Sequence, residues 1–220
     1  MMNRIVSLFF LALMVVATPL RAAEPKTILV LGDSIAAGYG LDPDEAFPAL
    51  LQEKITKAGL NYKVVNAGLS GDTTAGGLRR ISWLLRQPVD VLLLELGGND
   101  GLRGIDPTET ERNLKGIIEK VRQKNPNTTI VIAGMQMPEN MGKDYTTRFR
   151  DVFARVATEN RATLIPFMLE GVGGKAELNQ PDRIHPTAEG HKIITATIWK
   201  VLQPVLAGNR SEPIKESASR

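Results

Sequence analysis

The sequence predicts a single α/β domain built on a parallel sheet, and three observations carry that prediction. Short β-rich runs alternate with amphipathic helical segments from residue 27 to residue 206. The run at 89–96, VDVLLLEL, is almost continuously apolar, as expected of a strand covered on both faces. No internal repeat or linker interrupts the alternation, and 220 residues suit one domain with a large core.

The elements follow in order. Residues 27–31 (TILVL) form a first strand. Asp42, Pro43 and Asp44 open a helix over 46–58, with Leu50, Leu51 and Ile55 on one side. YKVV at 62–65 is a second strand, and 73–86 a second helix with Leu78, Ile81 and Leu85 at helical spacing. The apolar run at 89–96 is the third strand. Asp106, Pro107 and Glu109 resemble a capping box with proline at the first helical position, followed by an apolar stripe of Leu114, Ile117, Ile118 and Val121. A fourth strand is expected at 128–133 and a helix at 145–159, with Phe149, Val152, Phe153 and Val156 in register. A fifth strand is expected at 163–167, and a last helix, opened by Pro186, runs to about residue 206. Crossovers between parallel strands should be right-handed.

The two ends of the chain read differently. Arg4 precedes a predominantly apolar run at 5–17, and a proline and alanines follow before residue 24. This is the n-region, h-region and cleavage zone of a secretory signal peptide, and the run is shorter than the ~20 residues that span a bilayer. Residues 1–23 are therefore expected to be a cleaved signal, 24–208 the folded domain and 209–220 a polar, disordered tail. The expected location is periplasmic or secreted. Without Arg4 and Arg21 the 27 basic residues fall to 25 against 24 acidic, and the net charge drops from +3 to +1. No Lys/Arg block suggests nucleic-acid binding, nothing argues for a stable membrane anchor, and no obligate protein partner is evident. With no cysteine there is no disulfide framework and no thiolate nucleophile. No cofactor motif is present, and the carboxylates and two histidines lack any zinc-ligand spacing, so no metal is expected.

In an open parallel sheet, ligands bind beyond the carboxyl ends of the strands, where the strand order reverses. Glycine- and polar-rich turns gather there: Gly32-Asp33-Ser34 after the first strand, Ser70-Gly71-Asp72 after the second, and Gly97-Gly98-Asn99-Asp100 after the third. Asp182-Arg183-Ile184-His185-Pro186 precedes the last helix. A serine hydroxyl becomes nucleophilic only with a base in hydrogen-bond reach and an acid behind that base. His185, in a loop, suits Ser34 better than His191, whose spacing with Ile194 and Ile198 marks a partly exposed or core-edge helix residue. Asp182 is near enough to bond the other imidazole nitrogen if the segment makes one turn. Candidate oxyanion donors are the backbone N–H groups of Ser34 and Gly71 and the Asn99 carboxamide. Asp33 reads as a turn organiser rather than a second acid. Each of these residues taken singly is also accounted for by ordinary turn and cap chemistry.

Together the blocks GDS at 32–34, SGDTT at 70–74, GGND at 97–100 and DRIH at 182–185 resemble those of the SGNH (GDSL-type) hydrolases, in the same order and with similar spacing. The stretches LGDSIAAGYG and ELGGNDGLRG are similar to the periplasmic thioesterase/lysophospholipase/arylesterase branch of that family. The resemblance implies a three-layer, flavodoxin-like, five-stranded sheet in the order 2-1-3-4-5. It also implies Ser34 as nucleophile, His185 as base, Asp182 as orienting acid, and Ser34, Gly71 and Asn99 as the oxyanion hole. The implied substrate is a small ester, thioester or lysophospholipid. Alanine at 36 in place of glycine, and an acid three residues before the histidine, argue against an α/β-hydrolase elbow. Leu102, between glycines, and Met135 and Met137, in a methionine-rich stretch, are candidate acyl-chain contacts, although the methionines suit core filling equally well. The alternatives are a carbohydrate-ester deacetylase of the same fold, which the few aromatics disfavour, and a non-catalytic flavodoxin-like binding module.

Overall fold

The computed structural model describes residues 24–208. The expected signal peptide at 1–23 and the tail at 209–220 lie outside the described residues. Five strands, β1 (Lys26–Gly32), β2 (Tyr62–Gly68), β3 (Val91–Glu95), β4 (Thr129–Ala133) and β5 (Thr163–Ile165), form one parallel sheet in the order β2-β1-β3-β4-β5. The helices are α1 (Ser34–Ala37), α2 (Phe47–Lys57), α3 (Thr74–Leu84), α4 (Gly98–Leu102), α5 (Pro107–Lys124), α6 (Lys143–Glu159) and α7 (Ala188–Leu206). Helices α2 and α7 pack together on one face, and α3, α5 and α6 pack side by side on the other. The chain moves outward from β1 to β2 and then back past β1 to β3, so the topological switch lies between β1 and β3.

Burial explains the strand sequences. Every residue of β3 is buried, as its apolar run requires, whereas the edge strand β2 alternates between half-buried and exposed positions. Ile28, Leu31, Leu92, Leu93 and Leu94 are fully excluded from solvent between the helical layers. Each such side chain contributes about 1.5–3 kcal/mol of burial free energy. Among the described residues, no helix is long and apolar enough to cross a membrane.

Several boundaries differ from the sequence expectation. The turns after β1 and β3 are each a short helix, α1 and α4, too brief to carry a periodic pattern. Strand β2 runs on through Asn66 and Ala67 to Gly68, and β5 stops at Ile165, one residue before a proline. Helix α7 starts at Ala188 with the Thr187 side chain as its cap; Pro186 instead forms an isolated antiparallel bridge with Asn179. Helix α2 has no side-chain cap, and Asp42 to Asp44 lie in the preceding turn.

Candidate active site

Strand β1 delivers Ser34 to the switch point. Gly32 is required there because a Cβ would lie 2.3 Å from Glu95 Oε2 and 2.4 Å from Ala36 Cβ. Asp33 then caps α1, its Oδ1 accepting the Ile35 N–H at 3.0 Å, so Ser34 stands as the first residue of the helix, 8% exposed. Gly38, left-handed at φ 73°, ends that helix after one turn.

The rear of the chain supplies an imidazole. Ser34 Oγ lies 2.9 Å from His185 Nε2, and His185 Nδ1 lies 2.6 Å from Asp182 Oδ2. Asp182 Oδ1 accepts the backbone N–H groups of Ile184 and His185 at 2.9 and 3.0 Å. This one-turn wrap needs Arg183 at φ 60°, an uncommon conformation for a non-glycine residue. The hydrogen bond from His185, joined by the two backbone N–H bonds, lowers the Asp182 carboxyl to about 2, so it is ionised across the neutral range. A carboxylate accepts only, so Nδ1 carries the imidazole proton and Nε2 is left to accept from the serine hydroxyl. Gln180 braces the loop: its N–H donates to His185 O at 2.7 Å, and its Nε2 donates to Tyr39 O at 2.7 Å and Pro186 O at 3.1 Å. The Tyr39 ring lies beside the His185 imidazole, centroids 4.4 Å apart.

The three candidate donors stand just beyond the carboxyl ends of β1, β2 and β3. The backbone N–H groups of Ser34 and Gly71 have no acceptor among the described residues. Gly71 has φ 78°, and its carbonyl accepts from Arg103 Nη2 at 3.0 Å. Asn99, on α4, donates from Nδ2 to Asp33 Oδ2 at 3.2 Å. Arg80 ties the first two loops together, with Nε on Asp72 Oδ2 at 2.7 Å and Nη2 on Gly32 O at 3.0 Å. Behind them Asp100 Oδ2 accepts the Thr74 N–H at 2.9 Å, and its Oδ1 accepts the Thr74 hydroxyl. Asn113 on α5 donates to that hydroxyl oxygen at 3.1 Å, which locks α3, α4 and α5 together. Desolvation raises the Asp100 carboxyl above the usual carboxylate range.

The remaining candidates sit as follows. Leu102 is exposed. Met137 packs on Gly101 and borders a depression of about 510 Å³ that Gln136, Thr146 and Arg150 also line. Met135 is 2% exposed, with its methyl near Gly98. It fills the core under α4 rather than an open groove, which corrects its place as an acyl contact. His191 is 1% exposed, not at the core edge as its spacing suggested. Its Nδ1 accepts the Phe47 N–H at 3.0 Å, and burial lowers it to about 4, so it is a neutral structural acceptor. Asp33 organises the turn as expected, and its other oxygen also reaches Asn99. Sequence reasoning passed over Glu95, Arg80 and Gln180. A lone glutamate inside an apolar strand was a legible signal for Glu95; residue type and spacing carry none for the other two. Among the described residues no group of three or more His, Asp or Glu side chains is arranged to hold a metal ion.

Comparison with known proteins gives a consistent result. The GDSL-like Lipase/Acylhydrolase family pattern matches residues 30–193. Esterase TesA of Pseudomonas aeruginosa is 42% identical over 185 residues, covering 84% of this chain and 91% of that protein. Thioesterase 1/protease 1/lysophospholipase L1 of Escherichia coli K12 is 38% identical over 195 residues, covering 88% and 91%. Among solved structures, a crystal structure of TesA superposes with a TM-score of 0.79 at 41% identity, covering 82% of this chain and 99% of that one. AlinE4, an SGNH-hydrolase family esterase, gives 0.70 at 39%, covering 84% and 98%.

Proposed function

The chain belongs to the GDSL-like lipase/acylhydrolase family, and from that premise we propose that this ester hydrolase works through an acyl-enzyme formed on Ser34. The observation that supports this reading most is the hydrogen-bonded line from Ser34 Oγ through His185 to Asp182, at 2.9 and 2.6 Å. His185 Nε2 takes the hydroxyl proton as Oγ attacks the substrate carbonyl. The developing oxyanion is met by the N–H groups of Ser34 and Gly71 and by the Asn99 carboxamide. His185 then protonates the departing alkoxide or thiolate, the C–O or C–S bond breaks, and the acyl group remains on Ser34. Water, deprotonated by the same imidazole, attacks the acyl carbonyl. Collapse of the second tetrahedral intermediate releases the acid, and the proton returns to Ser34.

The substrate class is a small ester, an acyl thioester or a lysophospholipid. The names of the Pseudomonas and Escherichia relatives, esterase, thioesterase and lysophospholipase, support that range. Exposed Tyr39, Leu69, Leu102 and Ile184 stand within a few residues of the reacting groups in sequence and offer apolar surface to an acyl chain. Residues 1–23 act as a signal peptide that exports the 24–208 domain to the periplasm or beyond. The test is a side-by-side assay of an acyl thioester, a lysophospholipid and a graded series of p-nitrophenyl esters with wild type and Ser34→Ala. Turnover of at least one acyl class beyond acetyl, abolished in the variant, is expected. A sharp preference for acetyl would favour the deacetylase alternative, and activity retained in Ser34→Ala would end the acyl-enzyme reading.

A further inference from the structure

Asp33 and Glu95 are two buried carboxyl groups that the reaction sequence does not use. Asp33 is 2% exposed and Glu95 fully buried, with Glu95 Oε2 accepting the Asp33 N–H at 3.1 Å. Each Asp33 oxygen has its own partner: Oδ1 accepts from Ile35 N at the start of α1, and Oδ2 accepts from Asn99 Nδ2 on α4. We propose that Asp33 is a positioning residue that fixes the orientation of the Asn99 carboxamide, so that the helix bearing the nucleophile and the oxyanion donor are registered through one carboxylate. The inference rests on the reading of Asn99 as an oxyanion donor.

The chemistry is that of an acceptor-only group. A carboxylate repels the carboxamide oxygen and attracts its N–H, so it selects the side-chain flip in which Nδ2 faces Asp33. One amide hydrogen is then held, and the other is free for a developing oxyanion. The selection is strongest while Asp33 is ionised. Desolvation raises its carboxyl to about 6, and pushes Glu95 well above the usual carboxylate range. Burial thus disfavours the charge on Glu95 more strongly than on Asp33. The charge of His185 favours ionised Asp33 and that of Asp72 opposes it.

The test compares Asp33→Asn, Asn99→Ala and the double variant on one ester substrate. Asparagine keeps an acceptor for the Ile35 N–H but turns a donor toward Asn99. Asp33→Asn should lose about 10- to 100-fold in kcat with KM nearly unchanged, while its Tm at pH 8 equals or exceeds that of wild type. Asn99→Ala should lose about 100- to 1000-fold, and adding Asp33→Asn to it should cost nothing more. Wild-type kcat in Asp33→Asn beside an impaired Asn99→Ala would overturn the positioning role and leave the oxyanion reading standing. A further, additive loss in the double variant would overturn it as well. Wild-type kcat in Asn99→Ala would overturn the oxyanion reading itself and the inference with it. Should Asp33→Asn fail to fold, Asp33→Ser, which retains a cap but is too short to reach Asn99, is read by the same criteria.

Discussion

At the scale of single residues, the environment of a carboxyl group decides what it can do. Asp182 is more than a third exposed and held ionised by hydrogen bonds, led by that from His185, whereas Asp33 is buried and raised. The two have opposite consequences for stability. A lowered carboxyl stabilises the fold above its unfolded value and loses that contribution as pH falls from 3.8 toward 2. A raised one favours the native state in acid: its penalty is absent below 3.8 and fully present above about 6. Urea denaturation of Asp33→Asn against wild type should therefore show little difference at pH 4 and a gain on the order of 3 kcal/mol at pH 8. A gain that did not grow with pH would contradict a buried, ionised Asp33. The sequence singled out Ser34, His185 and Asp182, which the structure brings into hydrogen-bond contact, because the proposed roles demand specific residue types. It gave Asp33 its turn-organising place but not its reach to Asn99, because a side chain's direction after a strand end depends on the helix that follows, and α1 was too short to recognise.

At the scale of elements, the crevice is assembled by struts between loops rather than by the sheet alone. Arg80 on α3 holds Asp72, one residue past Gly71, and the carbonyl of Gly32, two residues before Ser34. Its side chain is 22% exposed and that of Asp72 only 6%, so solvent compensates little when the pair is broken. Arg80→Met should cost about 2–4 kcal/mol in urea denaturation and lower kcat, because the loops carrying Ser34 and Gly71, two of the proposed oxyanion donors, lose their mutual register. A stability change within about 0.5 kcal/mol of wild type would mean the strut carries no load. The long elements were legible because their apolar spacing repeats several times, as in α5, whose buried Leu114, Ile117, Ile118 and Val121 match the expected stripe. The short α1 and α4 had no period to show, and Arg80 is one of two adjacent arginines on its helix, with nothing local to mark which one turns inward.

At the scale of the whole molecule, the fold brings together groups separated by most of the chain. Ser34 and His185 are 151 positions apart, and their meeting depends on β1 lying inside the sheet, between β2 and β3, and on the loop before α7 returning over its carboxyl edge. The strand order, with its reversal between β1 and β3, was implied by the resemblance of four short blocks to a known family. The alternation of strands and helices foretold only that a parallel sheet exists. Acyl-chain contacts were the least legible part, since methionine suits a core and a groove alike, and Met135 proved to belong to the core. The central claim is that Ser34 is a nucleophile activated by His185. Mass-spectrometric mapping of the protein after reaction with a fluorophosphonate tests it most directly. The account predicts a single adduct on Ser34 that is lost in His185→Ala; no adduct, or an adduct on another residue with Ser34 unmodified, would contradict it.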